Sequence, residues 1–275
     1  MLIDWKKIAG EIYEQIKNEV EKIGKKPVLW AILVGENSAS LRYIKQKRKW
    51  ADFCGIGFDL KQLEQNISEE KLLEEIEEFN LDKNISWYIV QLPLPKHINE
   101  NKIIRSIDSK KDVDWFHPEN QGKILIWDNS WFVPCTPAWI VDILEFMKVE
   151  FSWKNVTVIW RSNIVWKPIA NLLINLWSTV TVCNSKTKDL KFFTKNSDIV
   201  IVATWKPGLI DETFIEKNTI IIDVWFTVID GKIHWDCETE KIDNFWAKIT
   251  PVPGWVWALT VASLMKNTLK SFKNK

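Results

Sequence analysis

Apolar positions set the first divisions of the chain. Ile8, Ile12, Ile16, Val20 and Ile23 recur every three or four residues and stop at Gly24, the pattern of an amphipathic helix closed by glycine. Val28 to Val34 is a short apolar run ending at Gly35, which predicts a buried strand. Ser38 or Ser40 is expected to cap a helix reaching about Cys54, with Gly55 as its stop. Another helix is expected from Ser68, because Glu69 and Glu70 then fall in its first turn, where negative charge suits the helix dipole. Residues 85–91 read as a strand that leaves through Leu92-Pro93-Leu94-Pro95. Strands alternating with helices in this way are the pattern of a parallel α/β sheet.

The second half repeats the alternation with different spacing. After a loop over residues 111–122, Thr136-Pro137 predicts a helix start, threonine as N-cap and proline in the first turn. Its apolar face is Ile140, Ile143, Leu144 and Met147. Four β-branched runs follow at 156–159, 179–183, 199–204 and 219–224, with helical or loop connectors such as 167–176. This half is expected to form a doubly wound nucleotide-binding sheet. A final helix is expected over about 258–272.

Composition narrows the function classes. A chain of 275 residues with 46% hydrophobic residues can bury a sizeable core. Its 37 basic and 36 acidic residues leave no field for nucleic acid. No apolar run reaches the ~18 residues of a membrane span, and the first 26 residues lack the apolar centre of a signal peptide. Cys54, Cys135, Cys183 and Cys237 stand far apart, so they read as reduced thiols, with no metal site expected. One ratio is abnormal: 18 tryptophans stand against 9 glycines, where average usage gives about 19 glycines in this length. Several tryptophans occupy turn contexts that select glycine, among them Trp205 before Lys-Pro-Gly208, and Trp255 and Trp257 after Pro-Val-Pro-Gly254.

Candidate chemistry falls on a few short segments. Tyr43 and Lys47 are four apart, so a helix places a phenol and an amine on one face. On a helix this rich in Lys and Arg, the same spacing also arises as a solvated face. Gln91 leaves a strand through two prolines at the sheet's carboxyl edge, where α/β sites lie. Asp112-Val113-Asp114 sits in the segment joining the halves, either a ligand site or a charged linker. Residues 158–168 read as strand, turn and helix, the place of a phosphate-binding turn, yet Trp160 and Trp166 stand where such a turn needs glycine. After the next strand, Ser185 and Lys186 offer donors to a 2′-phosphate instead of an acid to a 2′-hydroxyl.

Taken in order, these segments resemble the bifunctional methylenetetrahydrofolate dehydrogenase/methenyltetrahydrofolate cyclohydrolase family. The matching stretches are Ser40-x-x-Tyr43-x-x-x-Lys47, residues 90–95, 111–118, Pro134-Cys-Thr-Pro137, 160–168, Ser185-Lys-Thr187, 203–208, 223–225 and 250–260. They span nearly the whole chain. The resemblance implies two α/β domains, the second a doubly wound Rossmann-like NADP-binding sheet, with a folate cleft between them. Residues 1–120 would form the folate-binding catalytic domain, 121–254 the NADP-binding domain, and a helix over about 255–275 would pack back on the first.

The implied activity is NADP-dependent oxidation of 5,10-methylenetetrahydrofolate, followed by hydrolysis of the methenyl cation to 10-formyltetrahydrofolate. Lys47 matches the catalytic lysine, whose proton transfers need a depressed pKa. Tyr43 would flank the folate, Gln91 would orient Lys47, and Asp114 would accept hydrogen bonds from the pterin. Pro251 and Gly254 would also touch the folate. Trp160, Arg161, Ser162 and Ser185 would lie at the cofactor's phosphates, and Phe226 would meet the nicotinamide end through its backbone. A cytoplasmic homodimer acting on tetrahydrofolate derivatives, without nucleic-acid or membrane partners, is expected. The rival readings are a monofunctional NAD(P)-dependent dehydrogenase of the same fold and a binding protein whose tryptophans fill the cofactor cleft.

Departures from the family fall almost entirely on one exchange, Trp for Gly. Positions 115, 139, 160, 166, 205, 225, 255 and 257 show it directly. Trp5, Trp87, Trp153, Trp177 and Trp235 fit the same pattern, and Trp30, Trp50, Trp127, Trp131 and Trp246 match it least. A gene that reads UGA as glycine, translated with UGA as tryptophan, would account for the exchange. Counting the tryptophans as glycines turns 9 glycines into 27, above the average of about 19 instead of below it, and removes the tryptophan excess. Ala258, where the family usually has proline, is a separate departure.

Overall fold

The computed structural model of the chain describes residues 3–128, 133–160, 166–230, 232–250 and 256–273. They fall into two compact α/β units, one of Ala9–Cys135 with Thr260–Lys275, the other of Met1–Ile8 with Thr136–Leu259.

The first half of the chain runs through α1 (Trp5–Ile23), β1 (Val28–Val34), α2 (Ser38–Cys54), β2 (Gly57–Leu63), α3 (Glu69–Leu81), β3 (Tyr88–Val90), α4 (Glu100–Ser106) and α5 (Pro118–Leu125). Its three strands are parallel in the order β2-β1-β3. The central strand is the apolar one: Leu29, Ala31, Ile32 and Leu33 of β1 are buried. Helix α3 meets the core through Leu72, Ile76 and Phe79, an i, i+4, i+7 stripe that joins Ile32, Val34, Tyr88 and Val90. Each such side chain contributes about 1.5–3 kcal/mol on burial. As expected, Ser68 caps α3, its hydroxyl accepting from the Lys71 N–H.

Local details differ from the sequence reading, among them an unread strand, β2, and a later helix that already includes Cys135 where Thr136 was expected to cap it. The cap of α2 is Asn37, whose Oδ1 accepts from the Ala39 and Ser40 N–H groups, so neither serine caps it. Strand β3 is shorter than residues 85–91. Residues 118–125 form α5 instead of a loop, capped by the His117 ring nitrogen at 3.2 Å from the Glu119 N–H.

Further along come α6 (Cys135–Phe146), β4 (Asn155–Trp160), α7 (Trp166–Asn175), β5 (Thr179–Cys183), α8 (Leu190–Lys195), β6 (Ile199–Ala203), β7 (Ile220–Asp223), β8 (Phe226–Ile229), β9 (Lys232–Trp235), α9 (Thr239–Asn244), β10 (Lys248–Ile249) and α10 (Val256–Lys273). Five of the strands form a parallel sheet ordered β10-β7-β6-β4-β5. Counted within this sheet, the order is 2-1-3-4-5 read from β5, a doubly wound arrangement whose direction reverses at β4. Ligands of such sheets bind beyond the carboxyl ends of the strands at that reversal. The buried strand β6 runs Ile199, Val200, Ile201, Val202 and Ala203, apolar at every position because both of its faces are covered. Strands β8 and β9 form a separate antiparallel hairpin that the apolar pattern did not announce. Among the described residues, no helix is long and apolar enough to cross a membrane.

Candidate active site

Helix α2 and the end of β3 build the centre of the site. Tyr43 and Lys47 lie one turn apart on α2, and the Asn37 cap fixes where that helix begins. Gln91 follows β3 directly, and its N–H donates to the Ile32 carbonyl of β1 at 2.9 Å, extending the ladder by one residue. The Lys47 Nζ then donates to Gln91 Oε1 at 3.0 Å, with both side chains buried. Gln91 cannot turn away, because its Nε2 donates to the Leu92 carbonyl at 2.6 Å. One amide is thus spent on holding one amine.

Burial sets the electrostatics of that amine. Removal from water penalises the ammonium and lowers the Lys47 pKa, while the charge of Asp114 and that of a Cys135 thiolate act in the opposite direction. Burial likewise pushes the Tyr43 phenol up to about 12, so it stays a neutral donor. The Cys135 thiol is raised well above its ordinary value by burial and then by Asp114, which makes it an inert neighbour.

The segment carrying Asp114 is braced by a residue that sequence reading had grouped with it. Asp112 is buried, and its carboxylate accepts from the Trp115 N–H at 2.9 Å and the His117 N–H at 2.8 Å. Burial raises it to about 6, with those backbone donors opposing the rise. Asp112 therefore organises the turn, whereas Asp114 is half-buried. Asn267 of α10 was missed altogether. Its amide donates to the Val113 carbonyl at 3.1 Å and the Val133 carbonyl at 2.9 Å, with Cys135 Sγ 3.7 Å away. No local motif marks it, because every partner is more than 130 residues distant in the chain.

The residues expected at the cofactor belong to the other unit. Trp160 ends β4 in register with Ala203 of β6, at the sheet's reversal. Ser185 is exposed in a turn after β5, closed by the Thr187 N–H on the Asn184 carbonyl and by the Asn184 N–H on Thr187 Oγ1. From 179 to 188 there is no carboxylate, while Ser185, Lys186 and Lys188 supply a hydroxyl and two ammonium groups. This donor set fits an extra phosphate on a dinucleotide. Phe226 opens β8, half-buried, with its ring 5.7 Å from that of Trp235. Arg161, Ser162, Pro251 and Gly254 lie outside the described residues.

Comparison with known proteins decides the family. Residues 3–114 match the description "Tetrahydrofolate dehydrogenase/cyclohydrolase, catalytic domain", and residues 134–275 match the NAD(P)-binding domain of the same family. The chain belongs to this family. The tetrahydrofolate dehydrogenase/cyclohydrolase relatives include the bifunctional protein FolD of Campylobacter hominis, 43% identical, with 100% of this chain and 98% of that one covered. The Aquifex aeolicus FolD is 42% identical, covering 100% and 96%. Among solved structures, the Campylobacter jejuni FolD methylenetetrahydrofolate dehydrogenase/cyclohydrolase superposes with a TM-score of 0.94 at 38% identity, covering 100% and 99%. The Trypanosoma brucei enzyme, solved with NADP cofactor and inhibitor, gives 0.90 at 33% identity, covering 99% and 97%.

The buried amine has a thermodynamic signature. Since folding lowers the Lys47 pKa below its ordinary 10.5, the unfolded chain binds the proton more tightly, and stability contributed by this group rises with pH up to that value. Lys47→Met removes the dependence. Urea midpoints measured from pH 7 to 10 are expected to show the parent gaining on Lys47→Met as pH rises. A constant difference would mean that the amine titrates as if exposed.

Proposed function

We propose that Lys47, Tyr43, Gln91 and Asp114 carry the two reactions of this bifunctional methylenetetrahydrofolate dehydrogenase/cyclohydrolase. The observation that supports the assignment best is the buried Lys47 amine held on Gln91 Oε1. NADP+, when bound, supplies the acceptor for the hydride that leaves 5,10-methylenetetrahydrofolate. Ser185, Arg161, Ser162 and the turn at Trp160 would hold its phosphates, and Phe226 would meet the nicotinamide through its backbone. Asp114 accepts hydrogen bonds from the pterin amino and ring N–H groups, and Tyr43 flanks the folate, with Pro251 and Gly254 contacting it further along.

Oxidation leaves a methenyl cation, and a neutral amine does not repel it. The cation also lowers the Lys47 pKa further, which keeps the amine a base. Water adds to the methenyl carbon as its proton passes to the Lys47 amine. The ammonium so formed returns a proton to the departing ring nitrogen while the hydroxyl proton leaves. The net products are 10-formyltetrahydrofolate and one proton. Gln91 keeps the amine aimed through these transfers. A monofunctional dehydrogenase would have no need of this amine, and its buried placement favours the bifunctional reading. We further infer that the protein works as a cytoplasmic homodimer.

Lys47→Met is expected to lower methenyltetrahydrofolate hydrolysis by about 10²–10⁴-fold, the usual contribution of a positioned proton carrier. Hydrolysis at the parental rate by a folded Lys47→Met protein would remove Lys47 from the assigned role.

A further inference from the structure

Nine residues other than glycine hold left-handed backbone in the described residues: Trp115, Trp127, Lys148, Trp153, Trp177, Trp205, Asn218, Asp230 and Trp246. Asn and Asp visit this region readily, and bulky side chains do not. Tryptophan accounts for 18 of the 275 residues but for six of these nine.

The hydrogen bonds around them are those of glycine positions. At the end of α7, the Trp177 N–H donates to the Ile174 carbonyl and the Ser178 N–H to Leu173, a Schellman closure with Trp177 at φ 69°. The end of α5 repeats it, with Trp127 donating to Ile124 and Asp128 to Lys123. Helix α2 closes by the same pair of bonds, from Gly55 to Asp52 and from Ile56 to Ala51, and there the left-handed residue is glycine at φ 75°. Trp246 ends α9 in the same conformation. Trp153 occupies a turn in which the Lys154 N–H meets the Phe151 carbonyl.

Trp115 is buried, but the other five side chains find no core. Of the six, five are exposed, Trp153 at 91% and Trp177 at 79%. Every tryptophan found largely exposed among the described residues is one of these left-handed five. Trp30 and Trp50 behave differently: they lie inside β1 and α2, and their rings pack against Phe79 and, at 3.9 Å, against Tyr13.

We propose that the protein made in its source carries glycine at positions 115, 127, 153, 177, 205 and 246, each encoded by UGA read as glycine. The same reading extends to Trp160 and Trp166, where the sequence places a phosphate-binding turn that calls for glycine. Sequencing the gene and weighing peptides of the natively expressed protein test it together. UGA codons at the six positions, and the mass of glycine in the tryptic peptide 149–154, are expected. UGG at any of the six, or a tryptophan mass in that peptide, overturns the proposal. A stability readout is independent of the codons: Trp153→Gly and Trp177→Gly should each raise the urea midpoint, whereas glycine placed at ordinary backbone lowers it. A lower midpoint in either variant counts against the proposal.

A second inference rests on the functional reading of Asp114. The single amide of Asn267 ties the carbonyl preceding Asp114 to that of Val133, two residues before Cys135, and Asp114 and Cys135 are the two groups whose charge acts on Lys47. The geometry points to Asn267 as a positioning residue for the pterin-facing carboxylate. Asn267→Ser is expected to raise KM for the folate on the order of tenfold, with KM for NADP+ and kcat nearly unchanged. An unchanged folate KM, or equal rises in both KM values, overturns it. Asp114→Asn is measured in parallel: if it too leaves the folate KM unchanged, the Asp114 assignment fails, and with it this inference.

Discussion

The hydrogen bond from the Lys47 amine to Gln91 Oε1 organises the catalytic half of this protein. A lysine buried without a partner would be a cost with no return, since its charged form loses water. Here Gln91, itself tied to the Leu92 carbonyl, accepts from the amine without neutralising it. A carboxylate in that place would stabilise the ammonium and raise its pKa. The uncharged amide orients the amine and leaves burial free to lower its pKa. Strand β3 ends at the residue before Gln91, and α2 begins at a side-chain cap on Asn37, so both partners are set by elements with defined ends.

The second unit supplies a different kind of order. Its sheet reverses at β4, and the turn after neighbouring β5 displays a hydroxyl and ammonium groups with no carboxylate. The two units use the same physical resource, the carboxyl ends of parallel strands, for different ends. One end holds a buried amine on Gln91, and the other carries exposed ammonium groups beyond β5.

Local chemistry was legible in the sequence, and distant pairing was not. The Ser68 cap and the Tyr43 to Lys47 spacing both act within one or two turns, and the helices that carry them form as read. Asn37, Ser38 and Ser40 lie within four positions and could each cap α2, and the backbone geometry selects Asn37. Strand β2 had no clear signal, because as an edge strand it mixes Asp59, Lys61 and Gln62 with its apolar residues. Asp112 and Asp114 look alike in the chain, but burial makes the first a brace. The role of Gln91 came from resemblance, since its partner lies 44 residues away.

The central claim is that burial lowers the pKa of one particular amine. The most direct measurement is an NMR titration of protein labelled with ¹³C at the lysine ε-carbons, with the Lys47 signal assigned by its disappearance in Lys47→Met. The account predicts that this signal titrates below the ordinary lysine value of 10.5, and that Gln91→Ala shifts its midpoint. A Lys47 signal titrating at or above the ordinary lysine value of 10.5 would contradict it.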